Sequence, residues 1–303
     1  MIWKSLGLLF DVKSNYEWMN SHAALPTVIK ISNEYFRIFF STRDTFNRSH
    51  TTFVDLNMQD WRPGKKLIHT QKVSTFSPGK IGLFDDCGVT VSTFLKTKSG
   101  LYAYYLGWTN KKTTLFSNEI GIAYVDKNYK FSRIQNLPIY GRTEDEPLTF
   151  GYPTIFKFNN KISMYYDGIK EWNLENPTKY KFNLREATLN KRNKWILTNK
   201  ELIKLKLNER AITRSSFMIL DGKLIMIYSL DVAGKYELAA AYRNNKGKWT
   251  GMNNFTFVNS GHEWDSIQNC YPSIFESNNE FYMLYNGNGY GKSGFGIAKL
   301  FEY

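Results

Sequence analysis

Five times along the chain, a small residue or proline opens an apolar strand-like run, a polar turn follows, and a second, aromatic run returns. The first runs are Leu25-Pro26-Thr27-Val28-Ile29, Thr90-Val91-Ser92-Thr93-Phe94, Tyr152-Pro153-Thr154-Ile155-Phe156, Arg214-Ser215-Ser216-Phe217-Met218 and Tyr271-Pro272-Ser273-Ile274-Phe275. Anchored on Pro26, Val91, Pro153, Ser215 and Pro272, they recur at intervals of 65, 62, 62 and 57 residues. Phe40, Tyr105, Tyr166, Tyr228 and Tyr285 follow their anchors by 14, 14, 13, 13 and 13 residues. Between the two runs lie Ser32-Asn33, Lys98-Ser99-Gly100, Asn159-Asn160, Asp221-Gly222 and Ser277-Asn278-Asn279, residue types that turn a hairpin. A period of this kind decides the architecture before any single residue does.

A third run with a small central residue follows in most repeats, as in Ile120-Gly121-Ile122-Ala123-Tyr124, Leu184-Arg185-Glu186-Ala187-Thr188, Leu238-Ala239-Ala240-Ala241-Tyr242 and Phe295-Gly296-Ile297-Ala298-Lys299. Weaker outer runs surround Phe131, Trp195 and Trp249. Repeats of four short strands predict an all-β, five-bladed β-propeller, which leaves only short, protected sheet edges. The fifth repeat ends after its third run, while residues 3–10 form an unmatched run before the first. The N-terminal strand is therefore expected to close the last blade. The expected organisation is one domain, 1–303, with blades at approximately 20–70, 84–135, 147–200, 209–256 and 263–303, the last completed by strand 2–10.

Composition narrows the partners. The formal charge is +13, from 40 basic and 27 acidic side chains. The lysines are scattered through turns such as Lys111-Lys112 and Lys246-Gly247-Lys248, and no nucleic-acid-reading motif accompanies them. No nucleic-acid partner is expected; anionic sugars or sugar phosphates stay open as ligands. Cys87 and Cys270 are 183 residues apart, and the four histidines show no zinc spacing, so neither metal nor cofactor is expected. Residues 1–11 lack a secretory apolar core, and no run is long enough to span a bilayer. A cytoplasmic protein with reduced thiols is the expectation.

In a propeller blade, the start of the first strand and the end of the second emerge on one face. Before the anchors lie His22, Asp85 and Asp86, the Glu144-Asp145-Glu146 run with Tyr152, Glu209 with Arg210 and Arg214, and Glu263 with Asp265. After the second strands lie Arg43, Asp44 and Arg48, Trp108, Asp167, Asp231, and Asn286 with Tyr290. Aromatic faces that stack on a sugar ring, beside Asp, Asn and Arg that satisfy its hydroxyls, suit a carbohydrate. Glycoside cleavage needs two flanking carboxyl groups, one protonated and one ionised. Asp86, Glu209 and Asp265 are the leading catalytic candidates. His22, Arg43, Arg48, Asp85, Trp108, Asp167, Arg214, Asn286 and Tyr290 are the candidate substrate contacts. Each acid also has a structural explanation: Asp85-Asp86 and Asp265 as turn caps, Glu209 with Arg214 as an ion pair.

The segments Ser41-Thr42-Arg43-Asp44, Phe84-Asp85-Asp86-Cys87-Gly88-Val89, Tyr105-Leu106-Gly107-Trp108, Glu209-Arg210-Ala211-Ile212-Thr213-Arg214, Trp264-Asp265-Ser266 and Tyr282-Met283-Leu284-Tyr285-Asn286-Gly287-Asn288-Gly289-Tyr290-Gly291 resemble those of glycoside-hydrolase-family-43-like propeller proteins of bacterial surface-polysaccharide biosynthesis. The resemblance covers nearly the whole chain and implies an axial carboxylate triad in active members. Here the position before the first-blade proline is Leu25, the second-blade aspartate falls at Thr90, and the third-blade glutamate falls at Gly151. Either other axial carboxylates work, or the protein is not a conventional glycosidase. Three functions stay open. One is a glycosyl-cleaving or glycosyl-transferring enzyme using Asp86, Glu209 and Asp265. The second is a non-catalytic sugar-binding or scaffold protein. The third is a phosphorylase or nucleotide-sugar enzyme that holds phosphate on Arg43, Arg48 and Arg214.

Overall fold

The computed structural model describes residues 1–14, 16–144, 146–173, 175, 180–191, 194–198 and 200–303. Among them the chain is all-β, with three short 3₁₀ turns and no α-helix. The strands in order are β1 (Ile2–Phe10), β2 (Ser21–Lys30), β3 (Tyr35–Arg43), β4 (Ser49–Asn57), β5 (Gly88–Thr97), β6 (Gly100–Asn110), β7 (Phe116–Val125), β8 (Phe131–Arg133), β9 (Phe150–Phe158) and β10 (Lys161–Trp172). They continue with β11 (Tyr180–Leu189), β12 (Trp195–Leu197), β13 (Glu209–Leu220), β14 (Lys223–Val232), β15 (Lys235–Arg243), β16 (Trp249–Gly251), β17 (Thr256–Val258), β18 (Cys270–Ser277), β19 (Glu280–Asn286) and β20 (Phe295–Glu302).

Neighbouring strands pair antiparallel within each sequence repeat. The first repeat is β2-β3-β4, the second β5 to β8, the third β9 to β12 and the fourth β13 to β16. In the fifth, β18-β19-β20 is continued by β1, which lies antiparallel to β20. The hairpins form where polar turn residues accept left-handed backbone: Asn159 and Asn160 (φ 47° and 59°), Asp221 and Gly222 (φ 50° and 73°), Asn278 and Asn279 (φ 51° and 61°). Paired positive φ matches the twist of a two-residue hairpin turn.

The small centres of the third strands have a steric cause. Gly121 faces Tyr105 across the ladder, and a methyl group there would sit 2.2 Å from the tyrosine ring. Ala239 faces Tyr228 in the same register, and at Gly296, opposite Tyr285, a methyl group would instead sit 2.3 Å from the Trp264 ring. Apolar side chains then fill the space between repeats. Phe36, Phe40 and Val54 of the first pack with Phe275, Leu284 and Phe295 of the fifth and with Leu9 and Phe10 of β1. Trp3 of β1 joins Met218, Ile225 and Ile227 of the fourth and Met283 and Tyr285 of the fifth.

Candidate functional site

Each first strand breaks step at least once against its second strand. In four of them a non-glycine residue at the break has left-handed backbone: Leu25 (φ 55°), Tyr152 (φ 41°), Arg214 (φ 42°) and Tyr271 (φ 57°). A bulge re-aims a side chain and accommodates a proline that cannot donate to the ladder, as at Pro26, Pro153 and Pro272. Such backbone is costly for a side chain with a Cβ, and it concentrates at ligand sites. Asn286 secures one of these bulges. Fully buried, it accepts the Leu25 amide at 2.8 Å and donates to the carbonyls of Ala23 (2.7 Å) and Gly294 (2.8 Å).

Leu25, Tyr152 and Tyr271 open onto one cavity of about 510 Å³. First strands also contribute His22, Thr90 and Thr213; second strands contribute Leu106, Trp108 and Arg43. The beginnings of third strands supply Ser49, Phe116, Asn118, Tyr180, Phe182 and Tyr236, and the turn after β19 supplies Tyr290. The aromatic rings form connected groups: Tyr152 to Tyr271 at 5.4 Å, Tyr236 to Tyr290 at 5.7 Å, and Phe116 to Tyr180 at 5.7 Å between centroids. Trp108 donates its indole N–H to Ser49 Oγ at 3.1 Å, and Gly88 leaves room for that contact, since a Cβ there would lie 2.3 Å from the indole nitrogen. Among the described residues, no aspartate or glutamate lines the cavity.

Burial sets the protonation of this wall. It raises the Tyr180 phenol to about 12, pushes Tyr236 and Tyr271 well above the ordinary range, and raises Tyr152 and Tyr290 as well, so these hydroxyls stay protonated. His22 is driven down to about 4 by burial and by the charges of Arg43 and Lys292, so its ring is neutral near pH 7. Arg43 donates Nη1 to Asn47 Oδ1 at 2.7 Å. The adjacent Asp44 is turned to Arg48 Nε (2.8 Å) and His50 Nε2 (3.1 Å) instead. Arg48 is thereby committed to that turn and is not part of the cavity wall.

Asp167 and Arg214 lie just beneath the wall. Asp167 is fully buried; one oxygen accepts from the Thr213 hydroxyl, while Oδ1 has no hydrogen-bond partner. Burial raises its carboxyl to about 7, against hydrogen bonding from Thr213 and the charges of Arg214 and Arg185. Arg214 donates to the Ser92 carbonyl (2.5 Å), Thr154 Oγ1 (3.2 Å) and Thr27 Oγ1 (3.1 Å), tying together first strands of the first four repeats. Burial lowers its guanidinium to about 10. It makes no pair with Glu209.

The structure does not bring Asp86, Glu209 and Asp265 together around the cavity. Asp86 accepts the Gly82 amide at 2.9 Å in the loop before β5. Burial works upward on it, but hydrogen bonds from Gly82, Thr109 and Cys87 outweigh that and hold its carboxyl below the usual range. Glu209 accepts the Lys206 amide at 2.7 Å. Asp265 is fully buried and accepts from Ser260 Oγ (2.6 Å), the Ser260 amide (2.9 Å) and Tyr285 Oη (2.7 Å). Asp85, also fully buried, accepts from Tyr105 Oη at 3.1 Å and Arg133 Nε at 2.8 Å. Glu146 accepts from Tyr166 Oη at 3.0 Å, from Tyr140 Oη at 2.8 Å and from Arg185. In the fourth repeat burial raises the Tyr228 phenol to about 12 and the charge of Glu209 adds to it, without a hydrogen bond between the two. A carboxylate before the first strand, tied to the tyrosine of the second, is thus a recurring structural device. Asp145 lies outside the described residues.

His22, Arg43, Trp108 and Tyr290 do line the cavity. Phe116, Tyr180, Phe182 and Tyr236 were not among the sequence candidates. They begin third strands, which start at the face where second strands end, and that antiparallel geometry was the available signal. Among the described residues, no three His, Cys, Asp or Glu side chains converge as a metal site.

No family model matches the chain. The uncharacterized protein Rv1502 of Mycobacterium tuberculosis (strain ATCC 25618 / H37Rv) is 28% identical over 303 residues, 99% of each chain. The uncharacterized protein MT1551 of Mycobacterium tuberculosis (strain CDC 1551 / Oshkosh) aligns with the same identity and coverage. Among solved structures, the BT0996 RGII complex superposes with a TM-score of 0.77 at 15% identity, over 98% of this chain and 91% of that one. A thermostable family-43 glycoside hydrolase gives 0.66 at 14% identity, over 96% and 94%. The endo-arabinase from Bacteroides thetaiotaomicron VPI-5482 gives 0.61 at 11% identity, over 98% of each chain. The fold is that of the glycoside-hydrolase propellers. In this propeller Leu25 and Thr90 sit in the cavity wall, where the family-43 resemblance implies aspartates. At Gly151 a Cβ would meet Leu106 Cδ1 at 2.8 Å and Asp167 Oδ1 at 3.0 Å, so a side chain there would have to displace both ends.

Proposed function

We propose that the chain is a single five-bladed propeller, residues 1–303, that binds a carbohydrate in the cavity where its first strands begin and does not cleave it by paired carboxylates. The antiparallel ladders within the five repeats support the blade count, with single parallel bridges joining the first repeat to the second and the third to the fourth. Closure by the N-terminal strand is supported by the β1–β20 ladder and by rings of the first and fifth repeats in contact, Phe36 with Phe275 at 4.7 Å. One observation carries the functional part: a wall of aromatic rings with Arg43, Asn47 and Asn118 and, among the described residues, no carboxylate. Aromatic faces and amide or guanidinium groups are what a sugar ring needs, while two carboxyls flanking the bond are what its hydrolysis needs. Asp85, Glu209 and Asp265 are then scaffold groups, and Asp86 caps its loop. A role in bacterial surface-glycan metabolism, in a reducing cytoplasm suited to the unpaired Cys87 and Cys270, belongs to the same proposal. Among the described residues, no helix is long and apolar enough to cross a membrane.

An enzyme working through Asp167 is the second candidate. Its carboxyl sits behind lining residue Thr213 with Oδ1 unpartnered, and burial raises it to about 7. A glycan-array screen followed by calorimetric titration with wild type and Trp108→Ala tests the first proposal. Saturable binding that weakens about tenfold or more on losing the indole face is expected. An array without hits, or a Trp108→Ala protein with unchanged affinity, contradicts it.

A further inference from the structure

We propose that the saccharide this cavity takes is acidic, its carboxylate or phosphate seated on Arg43; this rests on the cavity being a sugar site. The charge inventory of the wall is one-sided. Arg43 is a guanidinium, which stays cationic at any physiological pH, and no described carboxylate pairs with it. Asp44, the neighbour that could neutralise it, is occupied by Arg48 and His50. Asn47 takes only Nη1, so among the described residues Nε and Nη2 of the fork make no other hydrogen bond. A planar fork with two donors left over matches a carboxylate or a phosphate.

The rest of the wall favours the same ligand. Five tyrosine hydroxyls there remain protonated, two of them, Tyr152 and Tyr271, hydrogen-bonded to one another, and the half-buried His22 ring is neutral. A neutral sugar offers hydroxyl donors and finds few strong acceptors here, because the carboxylates that usually receive them are absent from the described wall. An acid group brings acceptors of its own. Arg214 lies behind lining residues Thr213 and Tyr152 with the buried Asp167 acting on it by charge, so Arg43 is the cation that faces the cavity without a carboxylate partner. The chain's +13 charge steers an anion toward the protein at long range.

Matched pairs test this with the full-length chain. Uronic-acid oligosaccharides are titrated against their carboxyl-reduced forms, and phosphorylated oligosaccharides against their phosphatase-treated forms. In one series the acidic member is expected to bind about tenfold or more tightly than its neutral partner, and the series that responds identifies carboxylate or phosphate. Arg43→Met is expected to shrink that preference to below about threefold, with Arg43→Lys between. In wild type, raising the salt concentration is expected to weaken the acidic member selectively, a readout that does not depend on any variant folding. Equal or tighter binding of the neutral members overturns the acidic ligand while leaving the sugar site standing. Binding of neither member overturns both.

Discussion

Asp167 shows how far one side chain can be pushed by its surroundings. It is sealed between Gly151 and Thr213, with one oxygen bonded and the other without a partner. Its folded-state carboxyl is raised from 3.8 to about 7 by burial. The folded protein therefore holds this proton where the unfolded chain has released it. Its contribution to stability is full below pH 3.8 and is lost as pH rises through about 7. Asp167→Asn, which keeps the shape without the charge, is expected to gain on wild type across that window by on the order of 4 kcal/mol. Denaturant titrations of both proteins at several pH values check this; a difference that does not change with pH contradicts it. From sequence, Asp167 reads as a substrate contact at the end of a second strand, whereas the structure buries it completely beneath the cavity wall. Its burial depends on Gly151, a residue of the neighbouring strand that carries no side chain to signal the contact.

At the scale of strands and loops, the hairpins were readable and the bulges were not. Asn159-Asn160 and Asp221-Gly222 announce left-handed backbone because their side chains tolerate it. Leu25, Tyr152 and Tyr271 adopt it only because the surrounding strands impose it. The acids before the first strands were readable as positions, but not as to their direction. A second signal was available: Asp85, Glu146 and Asp265 each stand 20 residues before the tyrosine that bonds to them. The first repeat has Phe40 in place of the tyrosine, and it has no such acid. Three of the four tyrosines thus have a carboxylate hydrogen-bond partner, while Tyr228 of the fourth repeat feels Glu209 by charge alone. Each bond ties a connecting loop to the second strand of its repeat. Tyr105→Phe removes one donor from the buried Asp85 and is expected to lower stability by about 1–3 kcal/mol. Urea unfolding measures it, and a midpoint equal to wild type contradicts the tie.

For the whole molecule, the first and last strands, β1 and β20, meet in one sheet. Strand β1 buries Trp3 and Leu9 completely and Phe10 nearly so, between the fourth, fifth and first repeats. Burying three such side chains contributes on the order of 5 kcal/mol or more, comparable with the entire stability of an ordinary domain. Deletion of residues 1–11 is expected to abolish cooperative thermal unfolding or lower the midpoint by more than about 10 °C. An unchanged midpoint contradicts closure by this strand. The five repeats also set the cavity, since first-strand starts, second-strand ends and third-strand starts from different repeats form its wall. Asp85, Glu146 and Asp265 face the scaffold, and among the described residues the cavity keeps aromatic rings and a guanidinium. The central claim is a sugar site that binds without cleaving. It is tested most directly by following a bound oligosaccharide with wild-type protein by proton NMR over days. Saturable line broadening with no new anomeric signals is the predicted result. The appearance of new reducing-end signals, absent with Asp167→Asn, would contradict it.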